Sequence, residues 1–181
     1  MTILTLDLAG KTGWAIWRPA DQSPIWGCAK LPTGSPGQTF AAYRDWLTAK
    51  LITERVEHIG VEGIYVSAET ASAASRLYGL MGITRELAYR RSIPLNEISQ
   101  GEWRKRFLGQ ANAPRTLLKP ERRKWLKAQS REECAARGWN VSTDDEADAL
   151  GLMVFERARL HPEFSAEGSL FGFEPHAAAG V

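Results

Sequence analysis

Apolar positions open the chain as two short runs. Ile3, Leu4 and Leu6 lead to a lone carboxylate, Asp7, and a run from Trp14 to Trp17 follows the small residues Ala9, Gly10, Thr12 and Gly13. Runs of this length flanked by glycine predict two strands joined by a tight turn. A third short strand is expected over 25–31, broken off by Pro32, Gly34, Pro36 and Gly37. Phe40, Tyr43, Trp46, Leu47 and Leu51 then recur at helical spacing, which predicts an amphipathic helix over 38–54 with its aromatics in the core. The segment HIGVE, 58–62, reads as a fourth strand that again ends on a carboxylate, Glu62. A long helix over 70–91 follows, with Ala71, Ala73, Ala74, Gly79 and Gly82 interleaved among Leu77, Leu80, Met81, Ile83 and Leu87. Its small residues allow close packing on a sheet or a second subunit. A fifth strand over 93–98 makes a strand–helix–strand unit, hence a parallel pair with a right-handed crossover. A short basic helix (101–108), a loop (109–114) and a strongly basic helix (120–137) come next. A last helix is opened by Thr143, with Glu146 placed for a capping box. Ala147, Leu150, Gly151, Val154 and Phe155 are its expected buried face. Beyond His161 no period is visible. The expected organisation is therefore one domain, 1–160, and a flexible tail, 161–181.

Composition narrows the class. At 181 residues, 44% hydrophobic and 24% charged, the chain suits one soluble globular domain with a sizeable core. No run approaches a membrane span, and no basic leader with an apolar stretch opens the chain, so neither a membrane location nor a signal peptide is expected. Two distant cysteines, Cys28 and Cys134, form no metal-binding cluster and suit a reducing cytoplasm. The net charge of +2 hides an asymmetry. Residues 85–137 hold fourteen Lys/Arg against six Asp/Glu, while the remainder is acidic. A basic face for a polyanion beside an acidic centre fits this, as would a solvated helical surface.

The acids carry the chemistry. A carboxylate in a buried strand is expensive unless a cation or hydrogen bonds compensate it. Asp7 could instead be a turn or capping residue. In TDDEADAL, Asp145 and Asp148 are spaced i, i+3 and so share one face near the helix start. Acids favour helix N-termini, which accounts for Asp144, Asp145 and Glu146. It accounts poorly for Asp148, set among Ala147, Ala149 and Leu150. Four converging carboxylates from the first strand, the fourth strand and the last helix would repel one another without cations. Hard oxygen donors select Mg²⁺ or Mn²⁺, and two such ions suit phosphodiester hydrolysis.

The ordered set of Asp7 before a glycine-containing hairpin, Glu62 before a long helix, and DEADAL resembles the RuvC-type Holliday junction resolvases of the ribonuclease H/retroviral integrase superfamily. The likeness spans about 2–159. It is nearest to phage-type and prophage-type members through LYGLMGI, EWRKRFLG and the run from Trp125 onward. It implies an α/β, ribonuclease H-like fold: a mixed five-stranded sheet, antiparallel over its first three strands and then parallel, flanked by helices on both faces. It also implies a Mg²⁺- or Mn²⁺-dependent endonuclease with two ions per site, acting as a homodimer on branched DNA. Asp7, Glu62, Asp145 and Asp148 match the metal-binding acids, and Lys127 matches a catalytic basic residue, with Lys119 and Lys124 as competitors. Arg104 and Lys105 match a phosphate-contacting basic pair, and Lys119, Lys124 and Lys127 extend that DNA-binding set. Tyr65 stands where the family places an aromatic that wedges against bases, although a buried strand-end tyrosine reads equally well. Glu69 competes with Glu62, since VSAET could also end a strand on an acid. Three other readings compete: a related nuclease for flaps, forks or RNA–DNA hybrids, a catalytically silent DNA-binding relative, and an actin-like phosphotransferase. The last would need a second lobe that this chain lacks.

Overall fold

Alternation along the first strand decides which face each side chain joins. The computed structural model describes residues 1–64 and 71–165. Strand β1 (Ile3–Asp7) sends Leu4 and Leu6 into one core and Ile3 into another on the opposite face. A two-residue side-chain period requires that split. Thr5 follows Ile3, and its hydroxyl donates to the Ala149 carbonyl at 2.8 Å. Asp7, two residues on, therefore belongs to that same face.

The five strands lie in the order β3-β2-β1-β4-β5, with β2 at Lys11–Trp17, β3 at Ile25–Lys30, β4 at His58–Glu62 and β5 at Leu95–Ile98. Strand β2 pairs antiparallel with both β1 and β3, and β4 and β5 run parallel to β1. One sheet face is covered by α1 (Pro36–Thr53) and α2 (Ala71–Arg90), through Tyr43, Leu47, Leu51, Leu80 and Met81. The other is covered by α3 (Gln100–Leu108), α4 (Lys119–Ala136) and α5 (Asp144–Leu160), through Trp103, Phe107, Cys134, Ala147, Leu150 and Met153. This is the mixed, doubly covered sheet expected.

Several boundaries differ. Thr12 and Gly13 lie inside β2, so the turn contracts to 8–10. Pro36 is not a breaker: Ser35 caps α1, and proline fits the first turn, where its missing N–H has no partner to lose. Strand β5 starts at Leu95 rather than residue 93. Helix α5 is buried on more than one stripe, through Ala149, Leu152 and Met153, whereas Val154 and Phe155 are only partly covered. The cause is its position, with the sheet beneath it and α3 and α4 beside it. Tyr65, Glu69 and the tail from residue 166 lie outside the described residues. Among the described residues, no helix is long and apolar enough to cross a membrane.

Candidate active site

Parallel pairing brings the two strand-end acids together. Leu6 of β1 pairs with Val61 of β4, so Asp7 and Glu62 are the next residues on adjacent strands. His58 sits on the α5 side, where its Nε2 meets Glu156 at 3.1 Å. Glu62, four residues on, shares that face by the same alternation. Both acids thus reach the C-terminal edge of the parallel strands, beneath α5.

Helix α5 arrives because Gly13 lets it. Gly13 pairs with Asp7 across the β1–β2 hairpin, and a Cβ there would overlap the backbone carbonyl of Asp145. Only glycine permits so close an approach. The start of α5 is held by a capping box: the Thr143 hydroxyl accepts from the Glu146 N–H at 3.2 Å, and Glu146 Oε2 accepts from the N–H groups of Ser142 (2.6 Å) and Thr143 (3.2 Å). Glu146 is consumed by this cap. Asp144 accepts from Lys127 Nζ and Arg131 Nε, each at 2.6 Å. Asp145 and Asp148 remain, and the charge of each reaches Asp7.

The four carboxylates feel one another. Loss of hydration pushes the Asp7 carboxyl well above the usual range, and the charges of Asp148, Glu62 and Asp145 push it further, with Arg104 opposing. Burial likewise lifts Asp148 to about 6; Arg104 lowers it, Glu62 raises it, and a hydrogen bond from Ser130 and the charge of Lys127 lower it. Asp145 is raised by burial, against Lys127 and Lys11. Glu62 is held by a donor from α3, since the Trp103 indole N–H reaches its Oε1 at 2.9 Å. Asp7 and Glu62 line a cleft of about 100 Å³ with Leu8, Gly63, Ile64, Leu77 and Gln100; Asp145 and Asp148 are not among its lining residues. Among the described residues, no three acidic, histidine or cysteine side chains are gathered tightly enough to ligate one ion. The donor set nevertheless fits a hard divalent cation: all-oxygen, desolvated and destabilised by its own repulsion.

Of the three lysines on α4, Lys127 faces the acids, while Lys119 and Lys124 are exposed on the first half of the helix. Arg104 is half-buried, its charge reaches Asp7 and Asp148, and its Nε is buried with no hydrogen-bond partner among the described residues. Lys105, its neighbour, is exposed. Three contributors escaped the sequence reading. Lys11 lies two residues before Gly13 and so on the α5 face, a signal the period of two contained. Ser130 and the Trp103 N–H carried no local signal, because their partners are distant in sequence.

Strand order, pairing directions and helices on both faces define a ribonuclease H-like fold. No protein-family model matches the sequence, and no curated protein matches it. Solved structures do match. The chain is similar to Thermus thermophilus RuvC in complex with a Holliday junction substrate, with a TM-score of 0.64 and 13% identity over 89% of this chain and 96% of that one. Another Thermus thermophilus RuvC structure gives 0.61 and 13%, covering 93% and 97%. The yeast mitochondrial Holliday junction resolvase Ydc2 gives 0.54 and 14%, covering 92% and 83%. At such identities the likeness is one of fold. These neighbours are bacterial and yeast mitochondrial proteins and lend nothing to a phage-type kinship.

Proposed function

We propose that the chain is a divalent-metal-dependent endonuclease that resolves four-way DNA junctions. The observation that carries this is the electrostatic coupling of Asp7 to Glu62, Asp145 and Asp148, from three separate parts of the chain, at one edge of one sheet face. In this reading those four side chains hold Mg²⁺ or Mn²⁺, two ions per site, which supply an activated water and charge stabilisation at the leaving 3′ oxygen. The protein's own contribution is placement. Gly13 seats the start of α5 over the hairpin, the cap at Thr143 fixes its first turn, and Trp103 holds Glu62. Lys127 and Arg104 set positive charge beside the acids, where a scissile phosphate would lie. Lys105, Lys119 and Lys124 are exposed and free to meet phosphates farther along the strands. Tyr65 is the proposed base-stacking residue. Two symmetric cuts need two such sites, so the working unit is a homodimer. Free cysteines at Cys28 and Cys134 suit the reducing cytoplasm in which we place it.

The likeness to a RuvC solved with a Holliday junction supports branched DNA as the substrate. The test is cleavage of synthetic four-way junctions, flaps, RNA–DNA hybrids and linear duplex with Mg²⁺ present. Junctions should be cut preferentially and in symmetric pairs, and Asp7→Asn, Glu62→Gln, Asp145→Asn and Asp148→Asn should each abolish cutting while junction binding survives. Equal cutting of duplex and junction would reject the resolvase assignment, and full activity in Asp7→Asn would reject the site.

A further inference from the structure

Trp103 is fully buried, and its indole N–H ends on a carboxylate oxygen of Glu62. A buried indole N–H needs an acceptor, and many backbone carbonyls would serve. Here the acceptor is one of the four acids that meet at the sheet edge. Trp103 is also anchored to the helix that carries two of the others. Gly151 of α5 lies against its ring so closely that a Cβ would overlap it. The hydrogen bond therefore ties the strand-borne acid to the same rigid helix that presents Asp145 and Asp148.

We propose that Trp103 is a positioning residue for the metal site: its N–H fixes Glu62 Oε1 and leaves the second oxygen of Glu62 to the acidic cleft. Packing alone does not call for this arrangement, since an apolar ring could occupy most of the pocket without aiming a donor at Glu62. The N–H supplies direction. A charge-assisted hydrogen bond of 2.9 Å holds the carboxylate in one orientation, and donors behind ligating carboxylates contribute about 10–100-fold in metal affinity. The inference rests on the metal-dependent reading above.

Trp103→Phe in the full chain is the test. It should melt at a lower temperature, because the smaller ring leaves a gap in the core, yet still fold and keep its junction affinity. Mn²⁺ binding measured by calorimetry should weaken about 10–100-fold, and kcat should fall while KM for the junction holds. Unchanged Mn²⁺ affinity in a folded Trp103→Phe protein overturns the proposal. Should that variant not fold, the unaltered Trp103 reports directly. Its indole ¹⁵N–¹H signal, found among those of the seven tryptophans by its proximity to Phe107, should shift with Mg²⁺ and in Glu62→Gln. A signal indifferent to both overturns the role. A wild-type chain that binds no Mn²⁺ removes the metal reading and the proposal together, and is recognised because the Trp103 signal then still responds to Glu62→Gln.

Discussion

Gly13→Ala is the substitution that tests the geometry most directly. The added methyl would be driven into the carbonyl group of Asp145, with the Asp145 Cβ only 3.1 Å away. These are backbone atoms of a capped helix start, not the end of a flexible side chain, so no rotamer change relieves the clash. Restoring ordinary contact, from 1.9 Å to 3.4 Å, moves the start of α5 off the hairpin by about 1.5 Å, and a misplacement of even about 1 Å in an active site costs about a hundredfold in rate. Overpacking of this kind costs about 1–3 kcal/mol in stability. The expected result is a folded protein, less stable by that amount in urea titrations, that binds junctions normally and cuts them about a hundredfold more slowly in single-turnover assays. Gly82→Ala is the control. It lies inside α2 with nothing within 4 Å of the new methyl, and removing a helical glycine should leave cleavage alone and add roughly 0.5–1 kcal/mol. Full cleavage by a Gly13→Ala protein of wild-type stability would refute the claim that α5 must touch the hairpin for its acids to reach Asp7.

Three further outcomes follow from the charges. Asp148 is raised to about 6, and Asp7 moves in the same direction. A carboxyl with a higher pKa in the folded state keeps its proton there while the unfolded chain has lost it. Metal-free protein should therefore lose stability as pH climbs from about 4 to about 6, by about 3 kcal/mol from Asp148 alone. Urea titrations in chelator should show the fall and Asp148→Asn should flatten it; an equal fall in Asp148→Asn would contradict the assignment. Glu156 behaves oppositely. Burial raises its pKa, but hydrogen bonds from His58, Arg159 and Asn96 outweigh that and leave it lowered, so its contribution is present above the unfolded pKa of about 4.3 and is lost as pH falls. Glu156→Ala should cost about 3–5 kcal/mol by stranding these donors, without changing junction affinity in the protein that remains folded. Asp144→Asn should keep measurable cleavage, because Asp144 is spent on Lys127 and Arg131, whereas Asp145→Asn should have none; the reverse ranking would exchange their roles.

The local pattern was enough for the elements. The strand HIGVE, the long helix after it and the capping box at Thr143 were each legible, because strand period, helical spacing and cap chemistry act between near neighbours. The four acids could be singled out for a related reason: a carboxylate among apolar residues is conspicuous wherever it ends up. Asp145 could be preferred over its neighbours by the i, i+3 face it shares with Asp148, and the cap already claimed Glu146. What occupies Asp144 was not legible: it pairs with Lys127 and Arg131, distant in sequence. Nothing near Trp103 in sequence names Glu62 as its partner, 41 residues away.

By itself, then, the order of residues determined which segments become strands and helices, and which carboxylates would be uncomfortable there. Only the tertiary structure decided that they share one place. The parallel pairing of β1 with β4 sets Asp7 beside Glu62, and the bare backbone of Gly13 admits the helix carrying Asp145 and Asp148. The reason is physical: hydrogen-bonding period and side-chain spacing act over a few residues, whereas close approach and electrostatic repulsion depend on distance in space, which the chain sets only once it has packed.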